Sequence, residues 1–334
     1  MTSALLKPTT TSATAAHVIV IPGFLTEPIT RKLQASPVEK GSGGGTLSEL
    51  LNMLPLSFLD DLDPTKALDA RAWVLEMRAA VDPQHSLECF EWASESLVEL
   101  VVNSVGHLFE LRRGAFKKMA PAALMKIAYE LHNAWGRAER EADQSAERLY
   151  QHVEAHAQAH PEQPIYLIGH SLGARLTLRF AERLAERPIM AGGRAAEVHM
   201  SAWAPAINSD ALAWEHLVSL PHPPEVLFSS HDLVLKHMFP LGAMSFSNIP
   251  LIDIPMLGAQ LMKASKALGL TGQAPSSYPQ ARLINVSERS IGHLAYLDHA
   301  SDLIAASPVL KPLDVIAEPT APDPFLLTPK GERT

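Results

Sequence analysis

The stretch of this chain best suited to chemistry is Gly169-His170-Ser171-Leu172-Gly173. A serine with glycine two residues away on either side can be held on a tight turn between two elements, because neither glycine carries a Cβ to collide where they cross. The apolar tetrad Ile165-Tyr166-Leu167-Ile168, bounded by Pro164 and Gly169, precedes it, and an amphipathic pattern from Leu172 to about Arg187 follows. Strand, sharp turn and helix are therefore predicted, with Ser171 on the turn as a nucleophile. The Leu172 N–H and the positive end of the following helix would face an oxyanion forming at the attacked carbonyl. His170, next to the nucleophile, is expected to line the substrate.

A serine attacks only if a base takes its proton, and that base must be oriented by a carboxylate. After the apolar run Glu225-Val226-Leu227-Phe228 comes Ser229-Ser230-His231-Asp232, and after Arg282 to Val286 comes a loop with Gly292-His293. Asp232 and His293 therefore follow the carboxyl ends of two further strands, in the order nucleophile, acid, base. Each interval, 171 to 232 and 232 to 293, is 61 residues, long enough for a helix-containing crossover. All three groups can meet at one rim of a parallel sheet, where ligands of open α/β sheets bind. Asp232 also suits a helix N-cap. Asp210, Glu288 and Asp298 compete for the acid, with Asp210 as the reserve. His231 and His299 compete with His293.

A second oxyanion donor is expected from the loop after the first strand, Pro22-Gly23-Phe24-Leu25. Gly23 lets the backbone approach the substrate, the Phe24 amide is the expected donor, and Leu25 is the alternative. Gly23 and Leu25 are also expected to touch substrate. His152, His156 and His160 recur every four residues and would share a helix face, a spacing that can bind metal. The run is not HExxH, however, and no carboxylate completes the set, so it reads as a solvated face. The glycine-rich run Lys40–Thr46 lacks the GK[ST] ending of a phosphate loop and reads as a flexible connection.

The elements that must position these residues can be read from periodicity. His17 to Phe24 reads as a buried strand entering a functional loop, Leu47 to Val81 as mainly helical, and Leu87 to Trp92 as a strand. Glu95 to Ala159 has helical spacing broken near Gly114 and Pro121, so two or three consecutive helices are expected, with 95–145 a helical insertion or cap. Glu197–Ala202, Glu225–Phe228 and Arg282–Val286 read as further strands. Alternating strands and helices imply a parallel sheet covered on both faces. Residues 1–16 read as a loose tail, 17–306 as one α/β domain and 307–334 as a proline-rich extension. Segment 238–270, rich in Met, Leu, Gly and Pro, reads either as an apolar lid that receives an acyl chain or touches lipid, or as ordinary packing over the sheet edge.

Composition sets the outer bounds. In 334 residues, 47% hydrophobic against 19% charged leaves ample apolar surface for a core and excludes a disordered chain. A net charge of −8 with no basic cluster excludes the footprint that nucleic acid requires. The single cysteine, Cys89, cannot form an intramolecular disulfide or build a cysteine zinc site, and it points to a reducing compartment, hence to the cytoplasm. The apolar tracts around 97–111 and 238–262 carry charges or prolines and make no clean membrane span, and the N-terminus lacks a signal-peptide core.

The segments VIPGFL, LECFEW, NAWGRAEREADQSAERL, LIGHSLGARL, SSHDLVL and GHLAYL, in that order, resemble the α/β-hydrolase-like family containing the eukaryotic transmembrane and coiled-coil domain proteins. The likeness spans roughly Val18 to Asp298. It implies an α/β-hydrolase fold, and its elbow, Asp-containing loop and GH-containing loop match Ser171, Asp232 and His293. Family members carry membrane segments where this chain has charged helices, so at most a peripheral membrane contact is expected. Residues and resemblance together lead to a serine hydrolase of carboxylic esters, esterase- or lipase-like, that needs no metal or organic cofactor. The alternatives are an acyltransferase or thioesterase with the same three residues, or a non-catalytic tethering module.

Overall fold

The computed structural model describes residues 15–23, 70–92, 121–243, 266–293 and 295–313. Apolar character decides which strands lie in the middle of the sheet. β1 (His17–Ile21) and β3 (Ile165–His170) are buried at every position, whereas β2 (Ser86–Cys89) and β8 (Arg282–Asn285) are half-exposed and carry Glu88, Arg282 and Asn285. With β6 (Val198–Trp203) and β7 (Glu225–Phe228) they form a six-stranded sheet of order β2-β1-β3-β6-β7-β8, parallel throughout. Each fully buried aliphatic side chain of β1 and β3 contributes about 1.5–3 kcal/mol. A small antiparallel pair, β4 (Met190–Ala191) and β5 (Arg194–Ala195), was not evident from periodicity.

From β1 the chain runs outward to β2, then returns past β1 to β3 and continues to β6, β7 and β8. The order therefore reverses between β1 and β3, which opens a crevice at their carboxyl ends. Helices cover both faces. At the end of β3, a Cβ on Gly169 would run into α3 (Leu172–Glu186), while the next side chain, His170, lies against Trp73 of α1 (Ala70–Ala80). Successive strand residues point to opposite faces, so α3 and α1 lie on opposite sides of the sheet.

Helix α2 (Pro121–Ala159) is continuous over 39 residues, so within this span the expected series of helices is a single one starting at its proline. Its buried stripe, Trp135, Ala138, Ala142, Ala146, Leu149, Val153 and Ala157, repeats every three or four residues, and the alanines let α3 approach closely. Ion pairs flank that seam: Arg175 binds Glu139 at 2.6 Å and Asp143 at 2.8 Å, and Arg187 binds Glu147 at 2.6 Å. Burial pushes the Asp143 carboxyl up, but its bonds to Arg175 and the Arg179 charge hold it below the ordinary range.

Helices α4 (Trp214–Ser219) and α5 (Leu233–Ala243) follow β6 and β7, α6 (Leu268–Thr271) precedes β8, and α7 (Ala300–Ala306) packs with α1.

Two expectations need correction. Residues 307–313 are not extended: Ser307, Leu310 and Leu313 are buried, and the Ser307 hydroxyl donates to the buried Glu225 carboxylate. The histidine face of α2 is not simply solvated either. The His156 ring stacks on His17 at 3.7 Å, and His152 Nε2 lies 2.5 Å from Glu88 Oε1. Both misreadings have one cause, which is that the partners are distant in sequence. The tail up to residue 14, the Lys40–Thr46 run, residues 47–69, 93–120, 244–265 and 314–334 lie outside the described residues. The expectations for the glycine-rich run, the insertion before Pro121 and the middle of the lid segment fall there. Among the described residues no helix is long and apolar enough to cross a membrane.

Candidate active site

The turn between β3 and α3 carries Ser171 at φ 56° and ψ −118°, a positive-φ conformation outside the left-handed α region that residues with a Cβ seldom adopt. Long-range bonds hold it there. The Ser171 N–H donates to the Trp203 carbonyl at 2.9 Å, and the Ser171 carbonyl accepts from Ala206 N–H at 3.1 Å. Gly173 is required by close approach, because a Cβ there would collide with the Ile21 carbonyl and sit 2.8 Å from the Pro22 carbonyl oxygen. The first turn of α3 thus rests on the end of β1. Strain at such a turn persists only where its surroundings over-determine it.

His293 and Asp232 reach this turn from the loops after β8 and β7. Ser171 Oγ lies 2.8 Å from His293 Nε2, and His293 Nδ1 lies 2.6 Å from Asp232 Oδ2. With the carboxylate accepting, Nδ1 carries the hydrogen and Nε2 is left to accept from the serine hydroxyl. The three residues Ser171, His293 and Asp232 are 1%, 3% and 0% exposed, so little water competes for these bonds. Asp232 also starts a helix, because its Oδ1 accepts from Leu235 N–H at 2.8 Å and so caps α5. The two readings of this residue describe its two oxygens. The competing residues Asp210, Glu288, Asp298 and His231 are exposed, and half-exposed His299 lies 3.9 Å from Asp302.

Gly23, at the end of β1, faces the elbow directly. A Cβ on it would stand 2.5 Å from Ser171 Cβ and 2.7 Å from the His170 carbonyl oxygen. The Trp92 indole N–H donates to the Pro22 carbonyl at 2.8 Å and fixes the peptide that leads into this loop. Phe24 and Leu25 lie outside the described residues. Leu172 opens α3, and the first N–H groups of a helix have no acceptor within it.

His170 occupies a different place from the one expected. Its ring is buried behind the imidazole of His293, between Trp73 at 5.1 Å and Tyr296 at 5.5 Å, and its Nε2–H donates to the His293 carbonyl at 2.8 Å. Burial, together with His293, holds its pKa well below the ordinary value, so this ring is a neutral strut for the loop of His293. Trp73, Trp92 and Tyr296 were missed by sequence reasoning. Trp92 closes the LECFEW segment and Tyr296 lies three residues past His293, whereas Trp73 lay near no motif.

A parallel sheet that reverses order beside a serine on a positive-φ strand-to-helix turn, with helices on both faces, is an α/β-hydrolase fold. Within that class the chain belongs to the thioesterase domain family, whose model matches residues 115–295. No curated protein and no solved structure matches the chain.

Proposed function

We propose that the protein is a serine acyl hydrolase in which Ser171 is the nucleophile, His293 the base and Asp232 the orienting carboxylate. The observation that carries this reading is the unbroken hydrogen-bonded line from Ser171 Oγ through His293 to Asp232 Oδ2. His293 Nε2 takes the hydroxyl proton as Oγ bonds to the acyl carbon, and the carbonyl π electrons move onto oxygen. The Leu172 N–H and a second amide from the loop after Gly23, on Phe24 or Leu25, stabilise that oxyanion. Collapse expels the leaving thiolate or alkoxide, which His293 protonates. Water then gives its proton to His293, attacks the acyl-enzyme and releases the acid, and Ser171 recovers its proton.

Family membership favours a thioester as the substrate class. Carboxylic esters follow by the same steps, and an alcohol or amine replacing water would make the protein an acyltransferase. The likeness to the transmembrane and coiled-coil domain proteins supports a peripheral contact with lipid as a subordinate reading. The lone Cys89, whose thiol burial pushes up to about 12, is inert and suits a cytoplasmic protein.

The test is labelling with a fluorophosphonate probe, followed by hydrolysis of acyl-CoA thioesters and p-nitrophenyl esters of graded chain length. Wild type is expected to label and to turn over both classes, thioesters with the higher kcat/KM. Ser171→Ala should lose the label and about 10⁴-fold or more of turnover. Labelling that survives in Ser171→Ala would overturn the assignment, and a probe-silent wild type would favour the tethering module.

A further inference from the structure

The opposite edge of the sheet, at the amino ends of the strands, gathers a second set of chemically capable groups. Glu197 immediately precedes β6, His199 is the second residue of β6, and His222 lies in the Pro221-His222-Pro223 turn between α4 and β7. The ligand atoms of these three side chains lie within 4.8 Å of one another, and no other trio of His, Cys, Asp or Glu among the described residues achieves this. His199 Nε2 stands 2.9 Å from Glu197 Oε1, and the rings of His199 and His222 are 4.2 Å apart. Tyr166, the register partner of His199 on β3, stacks on the same imidazole at 4.6 Å and 14°, restricting its orientation.

We infer that Glu197, His199 and His222 form a binding site for a divalent transition-metal ion, with Zn²⁺ the best fit. Two imidazole nitrogens and one carboxylate oxygen are a donor set that tetrahedral Zn²⁺ accepts, leaving a fourth position for water. Ca²⁺ and Mg²⁺ favour oxygen-only shells with more ligands. Zinc bonds of about 2.0–2.1 Å place tetrahedral ligand atoms about 3.3–3.5 Å apart, so the Glu197–His199 contact opens slightly and His222 closes in. The prolines flanking His222 restrict its backbone, which lowers the ordering cost of that movement. Glu197 is exposed and also borders a cavity of about 360 Å³ lined by Glu162, Tyr166 and Arg194, so its carboxylate is open to solvent.

The site lies four residues upstream on β6 from Trp203, which contacts Ser171, so roughly 13 Å of strand separates it from the elbow. Its role is therefore to cross-link the start of β6 to the turn entering β7, independently of acyl hydrolysis. The experiment uses tag-free, chelator-stripped full-length protein, titrated with Zn²⁺ by calorimetry and with Co²⁺ by visible absorption. One equivalent is expected to bind, Co²⁺ to give the intense bands of a tetrahedral site, and the melting temperature to rise with Zn²⁺. Glu197→Gln and His222→Ala, both at accessible positions, should each weaken binding by about tenfold or more, with turnover unchanged. Absence of stoichiometric binding would overturn the inference. So would affinity that is indifferent to both variants, or that is lost instead in His152→Ala, which would move the metal to the α2 histidine face.

Discussion

The two edges of one sheet use polar residues in opposite ways. At the carboxyl edge the polar groups are buried and joined in one directed line, Ser171 to His293 and His293 to one oxygen of Asp232, with His170 bracing the His293 carbonyl. The backbone there is strained at Ser171 and held by neighbouring strands. At the amino edge the carboxylates are shared. Glu88 meets both His17 and His152, and Glu225 accepts from both Ser201 and Ser307. A single line of bonds fixes geometry and is sensitive to any break, whereas shared carboxylates hold chain segments together and tolerate partial loss. Damage at the first edge should therefore appear in turnover, and damage at the second in stability.

Asp232 gives the largest separation. Asp232→Asn keeps an oxygen for Leu235 N–H but turns an amide toward His293 Nδ1 and inverts the imidazole tautomer. Turnover is expected to fall by about 10⁴ with the melting temperature unchanged. Asp232→Ala should lose as much activity and, in addition, about 1 kcal/mol of stability from the missing cap. Steady-state kinetics and thermal melts on both variants decide, and identical melts would show that the cap is not used.

Next comes Gly23→Val, whose side chain would enter the space of Ser171 Cβ. Displacing the loop should cost about 10²–10³ in kcat, the loss typical of one oxyanion donor, and an unchanged kcat would separate the loop from the chemistry.

At the amino edge, Glu225→Ala removes the shared acceptor of Ser201 and Ser307 and leaves a cavity. Urea unfolding is expected to show a loss of about 2–3 kcal/mol while kcat stays the same, and a parallel fall in kcat would couple the edges.

The smallest effect belongs to Glu88, whose hydrogen bonds to His17 and His152 hold its pKa at about 2 instead of 4.5 despite its partial burial. A carboxyl depressed on folding contributes stability above its unfolded pKa, and the contribution fades as pH falls from about 4.5 toward 2. Glu88→Gln should therefore flatten the acid limb of the urea midpoint against pH, and a limb of unchanged slope would remove Glu88 from the account.

What could be read from the sequence followed the range of the interactions. Apolar runs placed β1, β3, β6, β7 and β8 to within a few residues, because a buried parallel strand has a local pattern of its own. Glycine spacing located the elbow for the same reason, since the collision it avoids lies between adjacent elements. Spacing drew attention to Asp232 and His293, which the fold brings to Ser171, but it could not divide the two Asp232 oxygens between a cap and an imidazole. His170 was misplaced because strand alternation turns it away from Ser171. The burial of Ser307 to Leu313, the β4–β5 pair and the docking of His156 on His17 left no trace in local pattern, because each depends on a partner that only the folded chain supplies.

The double duty of Asp232 bears on how relatives of this chain should age. A lineage that abandoned acyl chemistry would be free to let Ser171 and His293 drift. Position 232 would stay restricted to side chains that still begin α5, such as Asp, Asn, Ser or Thr. In a decayed copy the acid would therefore outlive the nucleophile, and its presence alone is the weakest sign that a relative still works.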